Sequence, residues 1–261
     1  MTPPDLALVV PCYNEAARLD ADAFVRFTAT HPGVRLVLVD DGSADGTLEI
    51  LERIRAAAPD AVTTRRLEGN RGKAEAVRTG IVAAIAENPA LVGFLDADLS
   101  TPLPAVDDFL AVLRTRPDVE FVLGSRVLLL GRDVKRKAWR HYLGRVFATA
   151  VSLALDLPVY DTQCGAKMLR VNAATGTLFA MPFRSRWIFD VELIARYLRL
   201  PVAPGECPRR DRLYELVLPV WHDKPGTKLR WYDFFRAIVE VGYIWRERLR
   251  SEVQVHQESS Q

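Results

Sequence analysis

Residues 93–102, GFLDADLSTP, run a short apolar stretch into two carboxylates, Asp96 and Asp98, that flank a single alanine. Charge at the rim of a core is costly unless something compensates it, so the pair has two candidate uses. One is to cap the helix that follows near Pro104. The other is a hard-oxygen site for Mg²⁺ or Mn²⁺, ions that take one or two protein carboxylates and complete their shell with substrate phosphates and water. A cation there would bridge a diphosphate and neutralise its charge as it departs. Capping alone would leave Asp96 without a role, because only one residue can be the cap.

Four further polar clusters have the same character: PCYNEAARL (11–19), DDGSADGT (40–47), GNRGKAEA (69–76) and GSR (124–126). Taken singly, each reads as an ordinary turn, glycine loop or helix cap. Taken together they punctuate a regular alternation. LALVVP (6–11), VRLVLVD (34–40), LVGFLDAD (91–98) and EFVLGSR (120–126) are β-branched apolar runs of the kind covered on both faces of a parallel sheet, with a weaker strand at 62–69. Helical patterns lie between them at about 15–30, 45–58, 73–88 and 104–115. The pattern predicts an α/β doubly wound, mostly parallel, Rossmann-like sheet. In that architecture ligands bind beyond the carboxyl ends of the strands, where all five clusters converge.

The first loop offers Pro11, Tyr13, Asn14 and Glu15, suited to stacking on and hydrogen-bonding a base or ribose. Asp40 and Asp41 can accept from base N–H groups or ribose hydroxyls. No G-x-G-x-x-G follows the first strand and no G-x-x-x-x-G-K-[ST] occurs, which disfavours dinucleotide oxidoreductases and P-loop hydrolases.

Beyond residue 126 the alternation stops. GRDVKRKAWRHYLGR (131–145) carries six Lys or Arg against one Asp and leads into an apolar stripe at Leu143, Val146, Phe147, Ala150, Val151, Ala154 and Leu155. A second amphipathic helix is expected at 231–250, with Trp231, Phe234, Phe235, Ile238, Val241, Trp245 and Leu249 on one face. Each stripe can pack on the sheet, or lie in a lipid headgroup layer.

The 261 residues suffice for a single large domain over 1–250, with a polar tail at 251–261 expected to fray. A net charge of +2 argues against a nucleic-acid coat. Cys12, Cys164 and Cys207 show neither disulfide nor zinc spacing, which suits a reducing cytoplasmic setting. Neither a signal peptide nor a spanning run is evident, so work at a membrane is expected from its cytoplasmic surface. Cys164 reads as a packing residue, and the four histidines lack ligand spacing.

In this order, VVPCYNE, VDDGSADGT, NRGKAEAVRTG, DADLSTP and GSR resemble the nucleotide-sugar half of family 2 glycosyltransferases with the GT-A fold. DTQCGAKMLR (161–170), RWIFDVELI (186–194) and VWHDKPGTKL (220–229) resemble the dolichyl-phosphate β-glucosyltransferases within that family, and the mannose synthases share the first half. The resemblance implies a nucleotide-sugar half at 1–126 and an acceptor half with interfacial helices at 127–250. It implies that Asp96 and Asp98 handle the metal and donor diphosphate, with Asp98 the more direct ligand. Pro11, Tyr13, Glu15, Asp41 and Lys73 would line the uridine pocket. Arg126, Arg136 and Arg140 would grip the acceptor phosphate, and Asp161 would face the reacting centre. Because a phosphate acceptor is already anionic, Asp161 reads mainly as a positioning group for lysine, arginine or metal, with general base the second reading. The implied reaction moves a hexose, foremost glucose from UDP-glucose, to a polyprenyl phosphate, with inversion. A GDP-mannose donor, a soluble acceptor or a non-catalytic sugar-nucleotide binder are the alternatives. Attachment to the membrane would be peripheral or through a membrane-protein partner.

Overall fold

The computed structural model describes residues 4–135, 138–185, 188–224, 240–242 and 246, with backbone only for 138–143. The chain runs β1 (Leu6–Cys12), α1 (Ala21–Thr30), β2 (Val34–Asp40), α2 (Thr47–Ala57), β3 (Val62–Arg66), α3 (Lys73–Ile85), β4 (Leu91–Leu95), α4 (Ala105–Thr115) and β5 (Phe121–Ser125). It continues through β6 (Asp133–Lys135), α5 (Ala138–Leu155), β7 (Ala166–Arg170), α6 (Thr175–Ala180), α7 (Phe189–Leu198), a 3-10 turn (Arg209–Arg212), β8 (Leu213–Val217) and β9 (Val220–His222). Among the described residues seven strands form one sheet in the order β3-β2-β1-β4-β7-β5-β8. All pairings in it are parallel except those of β7 with β4 and β5. The fold is therefore the expected α/β, mostly parallel sheet, with one reversed strand that the apolar pattern did not reveal.

Alternate residues of each strand feed opposite faces, as the period of 2 dictates. Val9, Val39 and Phe94 point into the core shared with α3, α5, α6 and α7. Leu8, Leu38 and Leu95 point into the one shared with α1, α2 and α4. The molecule is thus helix–sheet–helix, which explains why its strands read as unbroken apolar runs. Each fully buried Val, Leu or Phe contributes about 1.5–3 kcal/mol to holding those layers together.

α1 begins at Ala21, six residues later than the pattern suggests, because Asp20 caps it by accepting from the Ala23 amide at 2.9 Å. Residues 15–19 form turns instead, after Asn14 takes a left-handed conformation with φ of 51°. α5 divides its expected stripe. Phe147, Val151, Ala154 and Leu155 are buried in the core, whereas Val146 is 63% exposed. The core reading therefore holds for the C-terminal part of α5. Most of the expected 231–250 helix, and the 251–261 tail, lie outside the described residues. Among the described residues no helix is long and apolar enough to cross a membrane.

β1 leads outward to β2 and β3, and the chain then returns to place β4 on the other side of β1. The crevice beyond the carboxyl ends of β1 and β4 is the topological switch point where open α/β sheets bind ligands.

Candidate active site

A cleft of about 190 Å³ opens at that switch point, lined by Pro11, Cys12, Tyr13, Glu15, Asp41, Lys73, Ala76, Asp96, Ala97 and Asp98. Its floor is the end of β1 and its sides are the end of β4 and the start of α3. Five of the six expected donor residues beside Asp96 stand on it: Pro11, Tyr13, Glu15, Asp41 and Lys73. The sixth, Asp40, does not. Its carboxylate is wholly buried, accepts from the Ser43 amide at 3.0 Å and faces Arg66 at 3.4 Å, so the idea that it meets a base or ribose is corrected.

The loops of this rim are tied to one another through backbone amides. The Asn14 amide donates to Ser43 Oγ at 3.0 Å, the Glu15 amide to Thr47 Oγ1 at 2.8 Å and the Ala16 amide to Asp45 Oδ2 at 3.2 Å. Asp41 reaches across to α3. Its two carboxylate oxygens accept from the Arg71 amide at 2.7 Å and the Gly72 amide at 2.8 Å, which satisfies donors at the start of the helix. Gly42, with φ of 67°, lets the loop after β2 pass against the Gly69 backbone, where a Cβ would collide.

Asp96 and Asp98 have separate local partners. Neither caps α4, whose cap position is Pro104 without a side-chain bond. Asp98 Oδ1 accepts from the Ser100 amide at 2.9 Å, a local turn that aims the residue at the cleft. Asp96 pairs with Lys73, Nζ to Oδ1 at 2.5 Å. Burial works to lower the Lys73 ammonium, but Asp96, Asp190 and Asp98 outweigh it and hold it above the ordinary lysine value. Lys73 is therefore a fixed positive charge at the cleft. Among the described residues no three or more His, Cys, Asp or Glu cluster as a metal cage. One or two carboxylates beside an open cleft instead match a cation that shares its shell with substrate phosphates.

A second constellation lies where β5 ends. Arg126 makes a bidentate pair with Asp161, Nε to Oδ2 at 2.6 Å and NH2 to Oδ1 at 2.8 Å, and its amide donates to Oδ2 at 3.0 Å. Asp161 is held in turn: its amide donates to Glu215 Oε1 at 2.7 Å, and its Oδ1 accepts from the Gln163 amide at 3.0 Å. The Trp221 ring lies 5.2 Å from the guanidinium, a cation–π distance. Burial disfavours the charged guanidinium, yet Asp161 more than compensates and fixes it as a cation. Arg126 is thus oriented before any ligand arrives. Arg136 lies outside the described residues, and Arg140 falls on α5 where only backbone is described.

Glu215 and Gly165 carry no functional assignment from the sequence alone. Gly165 has a sharp steric reason: its carbonyl accepts from the Asp96 amide at 3.0 Å, and a Cβ on it would overlap the Asp96 carboxylate. Cys164 is buried, and burial pushes its thiol up to about 11, so it is no thiolate nucleophile at neutral pH. His31 stacks on Phe27 and accepts a place at the end of α1, away from the cleft.

Comparison with known proteins agrees with this architecture. The Glycosyl transferase family 2 profile matches residues 7–175. The dolichyl-phosphate beta-glucosyltransferase of Mus musculus is 33% identical over 232 residues, covering 83% of this chain and 70% of the relative. That of Dictyostelium discoideum is 30% identical over 252 residues, covering 90% and 71%. Among solved structures, glucosyl-3-phosphoglycerate synthase from Mycobacterium tuberculosis, in complex with Mn²⁺, UDP-glucose and phosphoglyceric acid, is similar in fold with a TM-score of 0.64. Its identity is 18%, covering 94% of this chain and 79% of that one. With a GT-A-like sheet, a cleft at its switch point and this kinship over most of its length, the chain belongs to glycosyl transferase family 2 and is a glycosyltransferase.

Proposed function

We propose that the enzyme transfers glucose from UDP-glucose to a polyprenyl phosphate, inverting the anomeric carbon to give a β-linked lipid-phosphate sugar. The observation that carries this reading is the separation of two sites along one sheet edge: an acidic, lysine-bearing cleft beyond β1 and β4, and an arginine fixed by Asp161 beyond β5. A donor-only protein has no use for the second. The curated relatives act, by their names, on dolichyl phosphate, which supports a lipid phosphate as acceptor.

In this reading the uridine lies against Pro11 and Tyr13, with Glu15 and Asp41 at the loops that frame it. Lys73 draws the diphosphate towards α3. Asp98, with Asp96 beside it, would hold Mg²⁺ or Mn²⁺, and the ion when bound supplies positive charge against the leaving diphosphate. Arg126 grips the acceptor phosphate through the guanidinium face turned from Asp161. A phosphate monoester loses its second proton near a pKa of about 6, so its oxygen is already anionic at neutral pH. The reaction therefore needs orientation more than a strong base, and Asp161 acts by orienting Arg126.

The acceptor's chain stays in its bilayer, since removing it costs about 0.8 kcal/mol per buried CH₂. The protein meets it at the surface. Leu128, Leu129 and Leu130, separated from Arg126 by the buried Val127, are exposed, and Leu130 is fully so. The six cations of 131–145 follow them, a basic stretch suited to anionic headgroups on a cytoplasmic face. A membrane-protein partner would serve the same end. Radiolabelled donors incubated with polyprenyl phosphate and Mg²⁺ or Mn²⁺ test the reading. Label in the organic phase, with UDP-glucose ahead of GDP-mannose, is expected; label confined to water-soluble product overturns the lipid acceptor.

A further inference from the structure

Lys167 is wholly buried at the second position of β7, paired with Phe94 of β4 on one side and Leu123 of β5 on the other. Its ammonium donates to Asp190 Oδ1 at 2.6 Å and to the Cys164 carbonyl at 2.6 Å. Asp190, in the first turn of α7, is itself 4% exposed. A buried ion pair is a poor way to stabilise a sheet, because apolar side chains of similar volume in its place are often neutral or better. Its position suggests another use.

The carbonyl that Lys167 holds belongs to the segment 161–165, which touches both constellations of the site. At one end Asp161 grips Arg126 through two side-chain bonds. At the other, the Gly165 carbonyl accepts from the Asp96 amide, and its bare Cα leaves room for the Asp96 carboxylate. Asp190 also bears on Lys73, whose ammonium responds to that charge as well as to Asp96. Charges therefore alternate from the cleft inward: Asp96, Lys73, Asp190, Lys167. β7 runs antiparallel between the strands that lead to Asp96 and to Arg126, so one side chain on it can set both.

We propose that Lys167 and Asp190 form a positioning pair for the transfer reaction, fixing segment 161–165 so that Arg126 and Asp96 keep one relative placement. The proposal rests on the reading of the cleft and Arg126 as donor and acceptor sites. Neither residue touches substrate. They act by denying the segment other conformations, and misplacement of a reacting group by about 1 Å can cost about 10²-fold in rate.

The test replaces both charges at once, Lys167→Met with Asp190→Leu, so that no buried charge is left alone. The unfolding midpoint is expected within a few degrees of the parent or above it. Amide exchange at Arg126, Gln163 and Asp96 is expected to quicken about tenfold or more, and kcat to fall about tenfold or more while the donor KM moves less than about threefold. Parental exchange in a folded double variant, with or without a change in kcat, overturns the proposal. If the double variant fails to fold, Asp190→Asn keeps a partner for the Lys167 ammonium and serves instead; unchanged exchange and kcat there overturn the proposal equally. A parent that transfers sugar from no donor sinks the functional reading, whereas the exchange data still decide what the pair does to 161–165.

Discussion

The two ends of the sheet use carboxylates differently. Around β1, β2 and β4 the rim carboxylates chiefly hold backbone, Asp96 on Lys73 being the main exception: Asp40 takes the Ser43 amide, Asp41 the Arg71 and Gly72 amides, Asp45 the Ala16 and Thr47 amides, and Asp98 the Ser100 amide. Around β5, β7 and β8 the carboxylates chiefly hold cations. Asp161 takes Arg126, Asp190 takes Lys167, and Glu120 takes Arg209 at 2.6 Å and Arg212 at 2.8 Å. A carboxylate on amides freezes a loop, since the main chain cannot turn away without losing both bonds. A carboxylate on an arginine fixes a side chain whose other donors remain able to meet an anion. The first end is a set shape; at the second, Arg126 is a fixed charge, which the proposed function assigns to the acceptor phosphate.

That contrast can be broken by substitution. Asp98→Ala removes the carboxylate aimed at the cleft without touching the core, so turnover is expected to fall by at least about 10²-fold, the scale of losing a stabiliser of developing charge, with the fold intact by circular dichroism. Substantial metal-independent activity in that variant would contradict the role given to Asp98. Gly165→Ala puts a Cβ where the Asp96 carboxylate stands. Activity is expected to fall about tenfold or more from displacement of Asp96, with about 1–3 kcal/mol of stability lost to overpacking, read by denaturant unfolding.

Asp41→Asn sharpens the comparison at the donor end. Its amide nitrogen would face a backbone N–H, donor against donor, and free the loop before α3. A stability loss of about 1–3 kcal/mol with weaker UDP binding is expected by calorimetry.

Glu120→Gln does the same for the ion-paired end, with a smaller effect. Burial tends to raise the Glu120 carboxyl, but Arg212, Tyr197 and Arg209 outweigh it and hold it below its ordinary 4.5. A carboxyl depressed on folding adds stability that is present above 4.5 and is lost as pH falls through the lower folded value. The variant is expected to melt about 2–4 °C below the parent at neutral pH. The difference should close as the pH drops below 4.5, and a constant gap would place the effect in packing rather than charge.

How much of this was readable in the sequence follows the same division. The first half announces itself, because strands buried on both faces must be apolar runs and the loops after them must carry the polar groups. LALVV, VRLVLVD and LVGFL appear where expected. The second half hides its sheet. β7 reads AKMLR, and a lysine at its second position breaks the apolar signature; Asp190, 23 residues away, and the Cys164 carbonyl make it tolerable there. β8 reads LYELV, half-buried throughout, with no run to mark it. Arg126 and Asp161 stand out as residue types, but a pairing 35 residues apart is invisible to spacing. Asp40 was misjudged because adjacent aspartates look alike in a loop, whereas the end of β2 turns one into the interior and the other towards α3.

The division of labour between the two ends is tested most directly by paired calorimetric titrations. UDP with Mn²⁺ and a short-chain polyprenyl phosphate would each be titrated into the parent, Asp98→Ala and Arg126→Ala. Loss of the Mn²⁺-dependent part of UDP binding in Asp98→Ala alone, and loss of lipid-phosphate binding in Arg126→Ala alone, is the expected result. Equal losses of both ligands in both variants would mean one undivided site and contradict it.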